Sequence, residues 1–101
     1  MFNFFKKIII NQENKLFFDI MKKEDELAKA WYNNNTDDNF RAYLNLFEFI
    51  SYLYLNNRID KSFVEENFLV IFKSLGEEWI DKINEFTGAY DNLKKMFKII
   101  K

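Results

Sequence analysis

Carboxylates are the side chains in this sequence whose number and spacing come closest to those of a chemical site. The 101-residue chain has no His and no Cys, so catalytic triads, zinc sites and thiol nucleophiles are excluded. Neighbouring acidic residues occur at 24–26, 37–38, 65–66 and 77–78. On a helix, adjacent side chains point about 100° apart, so adjacency alone does not form a catalytic dyad. We therefore predict no catalytic residues and no enzymatic activity.

The spacing of three acidic residues also fits a divalent-ion site. Glu77 and Asp81, and then Asp81 and Glu85, are separated by four positions. Such spacings are common on any charged helix, and Lys82 lies among these residues. The sequence contains no glycine-rich phosphate loop and no EF-hand pattern. A solvated face is the better interpretation, and we predict no metal and no cofactor.

Charge is unevenly distributed along the chain. The formal net charge is -1, which argues against direct binding of nucleic acid. Both ends are basic, whereas residues 60–91 carry eight acidic side chains against three lysines. Such a segment can form an acidic face that binds a basic protein surface. The predicted acidic face consists of Glu65, Glu66, Glu77, Glu78, Asp81 and Glu85.

These side chains must be positioned by helices. There is no Pro, there are two Gly, and the apolar residues keep a helical spacing with no strict period of two. The pattern predicts an all-α fold, a compact bundle of four to five short helices in a single domain of residues 1–101. Aromatic residues, which make up 20% of the chain, would supply much of its core.

Loop and capping residues set the expected helix boundaries. The first helix is predicted from about residue 11 to 32, and Asp37 or Asp38 is expected to cap a second one that runs from about 39 to 55. Asp60 is the expected N-cap of a third helix. Gly76 is expected to break or bend it, so that Glu77 and Glu78 begin a fourth helix, where acidic groups are favourable. A last helix carries the apolar residues from Tyr90 to Ile100.

The segment NLFEFISYLYL, residues 45–55, contains a single carboxylate, Glu48, among apolar and aromatic residues. It is too short and too charged to be a membrane span. Stepping 100° per residue places four polar side chains on one narrow stripe of an otherwise apolar helix. This polar stripe consists of Arg41, Asn45, Glu48 and Tyr52. We therefore expect Glu48 to lie at a polar edge of the helix, where its carboxylate contacts water or pairs with a neighbouring side chain. The alternative is that Arg41, Glu48 and Tyr52 form a polar cluster that a partner contacts.

The first ten residues, MFNFFKKIII, allow several interpretations. They lack the long apolar region and small-residue cleavage site of a signal peptide, which predicts a mature, cytoplasmic protein. Residues 1–10 can extend the first helix or form a separate amphipathic turn. Their apolar side chains can pack on the core, form a homodimer contact or, with the neighbouring lysines, attach to an anionic membrane surface. Integral membrane insertion is not expected, because no apolar window is long enough.

One part of the sequence resembles a known family. The pattern L-N-x-F-E-x-I-x-x-L at residues 44–53, followed by NNRIDKSFVEENF and then Trp79, is similar to a family of small helical bacterial and phage proteins catalogued as a domain of unknown function. The similarity covers about residues 40–83. It implies an all-α fold, places Asn45 and Glu48 on motif positions, and implies no catalytic residues.

These observations favour a protein that works by contact with another protein. A small, cysteine-free helical chain with an acidic face is typical of phage or mobile-element inhibitors of bacterial immunity proteins, whose nucleic-acid channels are basic. The alternative is a membrane-peripheral or self-associating structural protein that uses residues 2–10.

Overall fold

The fold is all-α, as predicted. The structure is a computed structural model that describes the backbone of residues 2–86 and 88–100 and the side chains of residues 14–86 and 88–100. In these ranges it contains five helices and no strand: α1 (Phe2–Asn33), α2 (Asp37–Leu55), α3 (Lys61–Glu78), α4 (Ile80–Glu85) and α5 (Asp91–Ile99). The chain divides into two compact units, residues 1–43 and 44–101, and each is described by itself. Our expectation of a single domain stays a prediction.

In the first unit, aromatic rings join the end of α1 to the start of α2. The ring of Trp31 stacks on that of Phe40, with 4.7 Å between centroids, and lies 6.0 Å from that of Tyr43. Phe40 and Tyr43 are buried, as is Ile20 further up α1. These contacts stabilise the packing of the end of α1 against the start of α2 through aromatic interactions as well as burial.

The turn between α1 and α2 is closed by Thr36 and Asn39. The Thr36 hydroxyl accepts a hydrogen bond from the backbone N–H of Asn39 at 3.2 Å, so Thr36 acts as the N-cap. The predicted capping role of Asp37 or Asp38 is wrong, because both lie inside the first turn of α2. There their charge still favours the helix through its dipole. The Asn39 side chain also donates to the Asn34 carbonyl at 2.8 Å.

The core of the second unit is built around Phe47. Its ring makes edge-to-face contacts with Phe68 and Phe72 of α3, with centroids 5.8 and 5.2 Å apart. All three side chains are almost fully buried, and Ile83 of α4 and Leu93 of α5 are inaccessible to solvent. The predicted cap of α3 is confirmed, since the Asp60 carboxylate accepts from the Ser62 N–H at 3.0 Å.

Gly76 does not break α3, so the predicted break is wrong, whereas the alternative of a bend stays a prediction. The helix continues through it to Glu78, and the break falls at Trp79. The role of Gly76 is close approach, since a Cβ atom at this position would lie 3.0 Å from Cδ1 of Phe97. The predicted position of Glu77 and Glu78 at a helix start is therefore also wrong, and both lie in the last turn of α3.

Gly76→Ala is expected to lower the free energy of unfolding by about 1 kcal/mol, because crowding of the Phe97 ring outweighs the better helix propensity of alanine. Urea denaturation measures this change. Combined with Phe97→Leu, the same substitution should become neutral or stabilising. Equal costs of Gly76→Ala in both backgrounds would contradict the proposed close contact.

Of the two alternatives predicted for the N-terminal residues, extension of the first helix is confirmed for residues 2–10, since α1 begins at Phe2. The side chains of residues 2–13 lie outside the described part of the structure, so the core, homodimer and membrane-surface interpretations of residues 2–10 remain predictions. Among the described residues, no helix is long and apolar enough to cross a membrane.

Candidate functional site

Glu48 of α2 is half-buried and bonded to the start of α5. Its Oε1 atom accepts a hydrogen bond from the backbone N–H of Leu93 at 2.9 Å. Its Oε2 atom accepts from the side-chain amide of Asn92 at 2.7 Å. The carboxylate therefore ties α2 to the N-terminus of α5, and both of its oxygens have partners.

The N-terminus of α5 lacks a capping side chain of its own. The residue at the N-cap position is Tyr90, which has left-handed backbone geometry (φ 71°) and makes no side-chain capping bond. Leu93 is the third residue of the helix, the position whose amide a capping side chain normally satisfies. Glu48 supplies this acceptor from a different helix, and its negative charge is favourable at the positive end of the helix dipole.

The other members of the polar stripe are exposed. Arg41 belongs to the first unit, whereas Asn45 and Tyr52 lie on the second unit's part of α2. The aromatic ring of Phe49 is 47% exposed. On a helical wheel it lies only about 40° from Asn45, so it belongs to the solvent edge. A cluster of Arg41, Glu48 and Tyr52 that binds a partner stays a prediction.

All six residues of the predicted acidic face are exposed, but they do not project in one direction. Glu66 and Glu77 point within about 20° of each other on α3 because they are three turns apart. Glu65 points about 100° away from Glu66 and accepts a hydrogen bond from the Tyr54 hydroxyl at 2.8 Å. Glu78 accepts a hydrogen bond from the Ser74 hydroxyl at 3.2 Å.

The remaining two acidic residues lie on α4. Asp81 and Glu85 are one turn apart, so they share a face of this short helix. Glu85 is 3.2 Å from the Lys82 ammonium group, in a largely exposed ion pair that contributes little to stability. The predicted acidic face is thus two separate groups, the acidic strips: Glu66, Glu77 and Glu78 on α3, and Asp81 with Glu85 on α4. Lys73 lies between Glu66 and Glu77 on the same side of α3.

Negative charge is concentrated where α3 ends. Glu77 and Glu78 lie in its last turn, which contains no basic residue. Carboxylates at a helix C-terminus repel the partial negative charge of the free carbonyls, which costs about 0.3–1 kcal/mol each at an exposed site. The charges of these two side chains are therefore unfavourable to the dipole of their own helix, although Glu78 also accepts the Ser74 hydrogen bond within it. Both carboxylates are exposed and can contact a positively charged partner.

Comparison with protein-family models, curated proteins and solved structures found no match for this chain. The family resemblance of residues 40–83 stays a prediction. Within the described residues, no group of three acidic side chains is arranged to hold a metal ion. The chemical interpretation therefore depends on the geometry of the side chains themselves.

Sequence reasoning did not find Asn92 as a partner of Glu48. The two residues are 44 positions apart, and no local pattern indicates which amides a distant carboxylate will contact. One weak signal was present, since the last predicted helix had no strong N-cap residue immediately before its apolar positions. An uncapped helix start requires an acceptor from elsewhere in the fold.

A buried phenol in the first unit gives a pH-dependent prediction. The Tyr43 hydroxyl donates a hydrogen bond to Glu24 at 3.2 Å. Burial, together with the Glu24 charge and this bond, raises the pKa of Tyr43 well above its ordinary value. Folding therefore favours the protonated phenol, and its contribution to stability is complete below the unfolded pKa of about 10 and is lost as the pH rises further.

We expect Tyr43→Phe to reduce the loss of stability above about pH 10, by up to about 1.4 kcal/mol for each pH unit. The measurement is urea unfolding followed by Trp31 fluorescence, because the indole lies against the Tyr43 ring. Tyr32→Phe is the matched control, since Tyr32 is 85% exposed. Identical alkaline profiles for Tyr43→Phe and the wild type would contradict this assignment.

Proposed function

We propose that this chain is a non-enzymatic protein-binding module whose acidic strips contact a basic surface of a partner protein. The observation that carries the proposal is the position of Glu77 and Glu78 in the last turn of α3, which has no basic residue. Their charge weakens the helix that holds them, so a role outside the fold accounts for them better than a stabilising role.

The kind of partner follows from charge complementarity. Carboxylates presented on two helices can occupy a basic groove that otherwise binds the phosphates of nucleic acid. We propose a cytoplasmic inhibitor, encoded by a phage or mobile element, of a bacterial immunity protein that binds nucleic acid. This charge complementarity supports the proposal, together with the resemblance to bacterial and phage proteins predicted for residues 40–83.

Capture of a partner from lysate of the source cells tests the proposal. The tagged wild type should retain a protein with a basic surface at about 50 mM salt and release it as the ionic strength approaches about 1 M, where the Debye length is only about 3 Å. The variant Glu77→Lys, Glu78→Lys, Asp81→Lys should fail to retain it.

The matched control is Asp19→Lys, Asp25→Lys, Glu26→Lys, which makes the same change of net charge at three exposed positions of α1. This control should still retain the partner. Equal retention by the two charge-reversed variants, or binding that is indifferent to salt, would contradict a role for the acidic strips.

A further inference from the structure

A groove between α3 and the C-terminal helix α5 has an apolar floor. Its volume is about 420 Å³, within the usual range for small-molecule sites. Ile80, Phe97 and Ile100 form the floor, and the buried ring of Phe72 lies beneath it. Gly76 also lines it, and the missing side chain at this position leaves room where the Phe97 ring approaches α3.

The rim of this groove is mainly cationic. Lys73 of α3 and Lys94 and Lys98 of α5 line it, together with one carboxylate, that of Glu77. Among the described residues, none of the three ammonium groups lies within ion-pair distance of a carboxylate. Three cations therefore converge on one apolar surface with a single acid to offset them.

An apolar floor with a cationic rim selects for an amphipathic anion. Each methylene group buried on the floor contributes to binding through the hydrophobic effect. The charged head remains at the rim, where lysines attract it and their alkyl stems add to the apolar surface. A neutral alkyl chain gains only the first contribution, and a cationic amphiphile is repelled.

We propose that the groove of α3 and α5 binds a free single-chain alkyl carboxylate, with the chain on Ile80, Phe97 and Ile100 and the carboxylate beside Lys94 and Lys98. This site is separate from the proposed partner contact except at Glu77, which lies at the groove rim. Glu77 opposes the bound anion, so its removal is expected to strengthen binding.

Decanoate is a suitable probe, studied below the concentration at which it self-associates. Calorimetric titration of the full chain should show saturable one-to-one binding, with decanol at least fivefold weaker and decyltrimethylammonium weaker still. Lys94→Glu with Lys98→Glu should weaken decanoate binding at least fivefold, and Glu77→Gln should strengthen it. Lys95→Glu, which makes half of this change in net charge, is the control because Lys95 is exposed on α5 but does not line the groove.

Other outcomes would overturn the proposal. Equal binding of decanol and decanoate would show that the lysines do not select the ligand. Loss of binding in Lys95→Glu equal to that in the double variant would indicate a diffuse charge effect and not a site. Association with phosphatidylglycerol vesicles, without saturable binding of decanoate, would assign the lysines to a membrane surface. Absence of decanoate binding by the folded wild type would also reject the site.

Discussion

Replacing Glu48 with alanine is expected to lower the free energy of unfolding of the second unit by about 2–3 kcal/mol. The substitution removes the acceptor of both the Leu93 N–H and the Asn92 amide, whose bonds to an ionised group are stronger than neutral ones. It also removes a negative charge from the positive end of α5. Because Tyr90 makes no capping bond, no side chain at the helix start replaces the lost acceptor.

Urea denaturation followed by Trp79 fluorescence measures this loss. Trp79 lies in the second unit, and a Trp31→Phe background removes the signal of the first unit while keeping an aromatic ring against Phe40. Glu48→Gln should lose roughly half as much stability, because the amide presents one acceptor where two donors converge.

Asn45→Ala is the control for Glu48, since Asn45 is an exposed residue one turn earlier on the same helix. Its effect should lie within about 0.5 kcal/mol of zero. If Glu48→Ala were as stable as Asn45→Ala, the carboxylate would not be holding α5. If Glu48→Gln left both stability and partner binding unchanged, the predicted polar cluster would be rejected as well.

Reversing the charges of Glu77, Glu78 and Asp81 to lysine is expected to weaken binding of a basic partner at least tenfold, a change of about 1.4 kcal/mol or more. Each reversal replaces an attraction with a repulsion at the proposed contact. Binding kinetics of the captured partner at low salt measure the effect. The α1 triple variant with the same net charge should change the affinity by less than threefold.

Charge reversal at Glu77 and Glu78 is expected to stabilise α3 even though it weakens partner binding. Glu77→Lys with Glu78→Lys places cations in the last turn of α3, where they attract the free carbonyls. The first substitution also adds a cation beside Lys73, Lys94 and Lys98, so the net rise in the free energy of unfolding should be about 0.5 kcal/mol. Asp81 is left unchanged here because its carboxylate is favourable in the first turn of α4. Asp19→Lys with Glu26→Lys, in the middle of α1, should be close to neutral. If Glu77→Lys with Glu78→Lys lowered the free energy of unfolding, Glu77 and Glu78 would instead have a structural role.

The helices of this fold can be predicted from the sequence because their apolar periodicity is strong and their ends carry recognisable polar residues. The all-α fold was predicted from this spacing, and Asp60 was correctly identified as a cap. Gly76 was misinterpreted because glycine destabilises a helix locally, while its benefit here comes from a ring more than twenty positions away. A local pattern does not contain that contact.

In the candidate site too, local sequence patterns could be predicted but long-range contacts could not. The helical wheel placed Glu48 at a polar edge, but its partners on α5 are set by tertiary packing 44 and 45 positions away. The six acidic residues were identified by counting charges, which does not give their directions. Only the structure shows that Glu65 turns to Tyr54 and that Glu66 and Glu77 share a strip.

Competition with nucleic acid is the most direct test of the proposed function. The captured partner would be loaded with its fluorescently labelled nucleic acid and titrated with the wild type, the Glu77, Glu78, Asp81 reversal and the α1 control. We predict competitive displacement by the wild type and the α1 control, and at least tenfold weaker displacement by the reversal variant. A ternary complex in which the partner holds nucleic acid and this protein together would contradict the account.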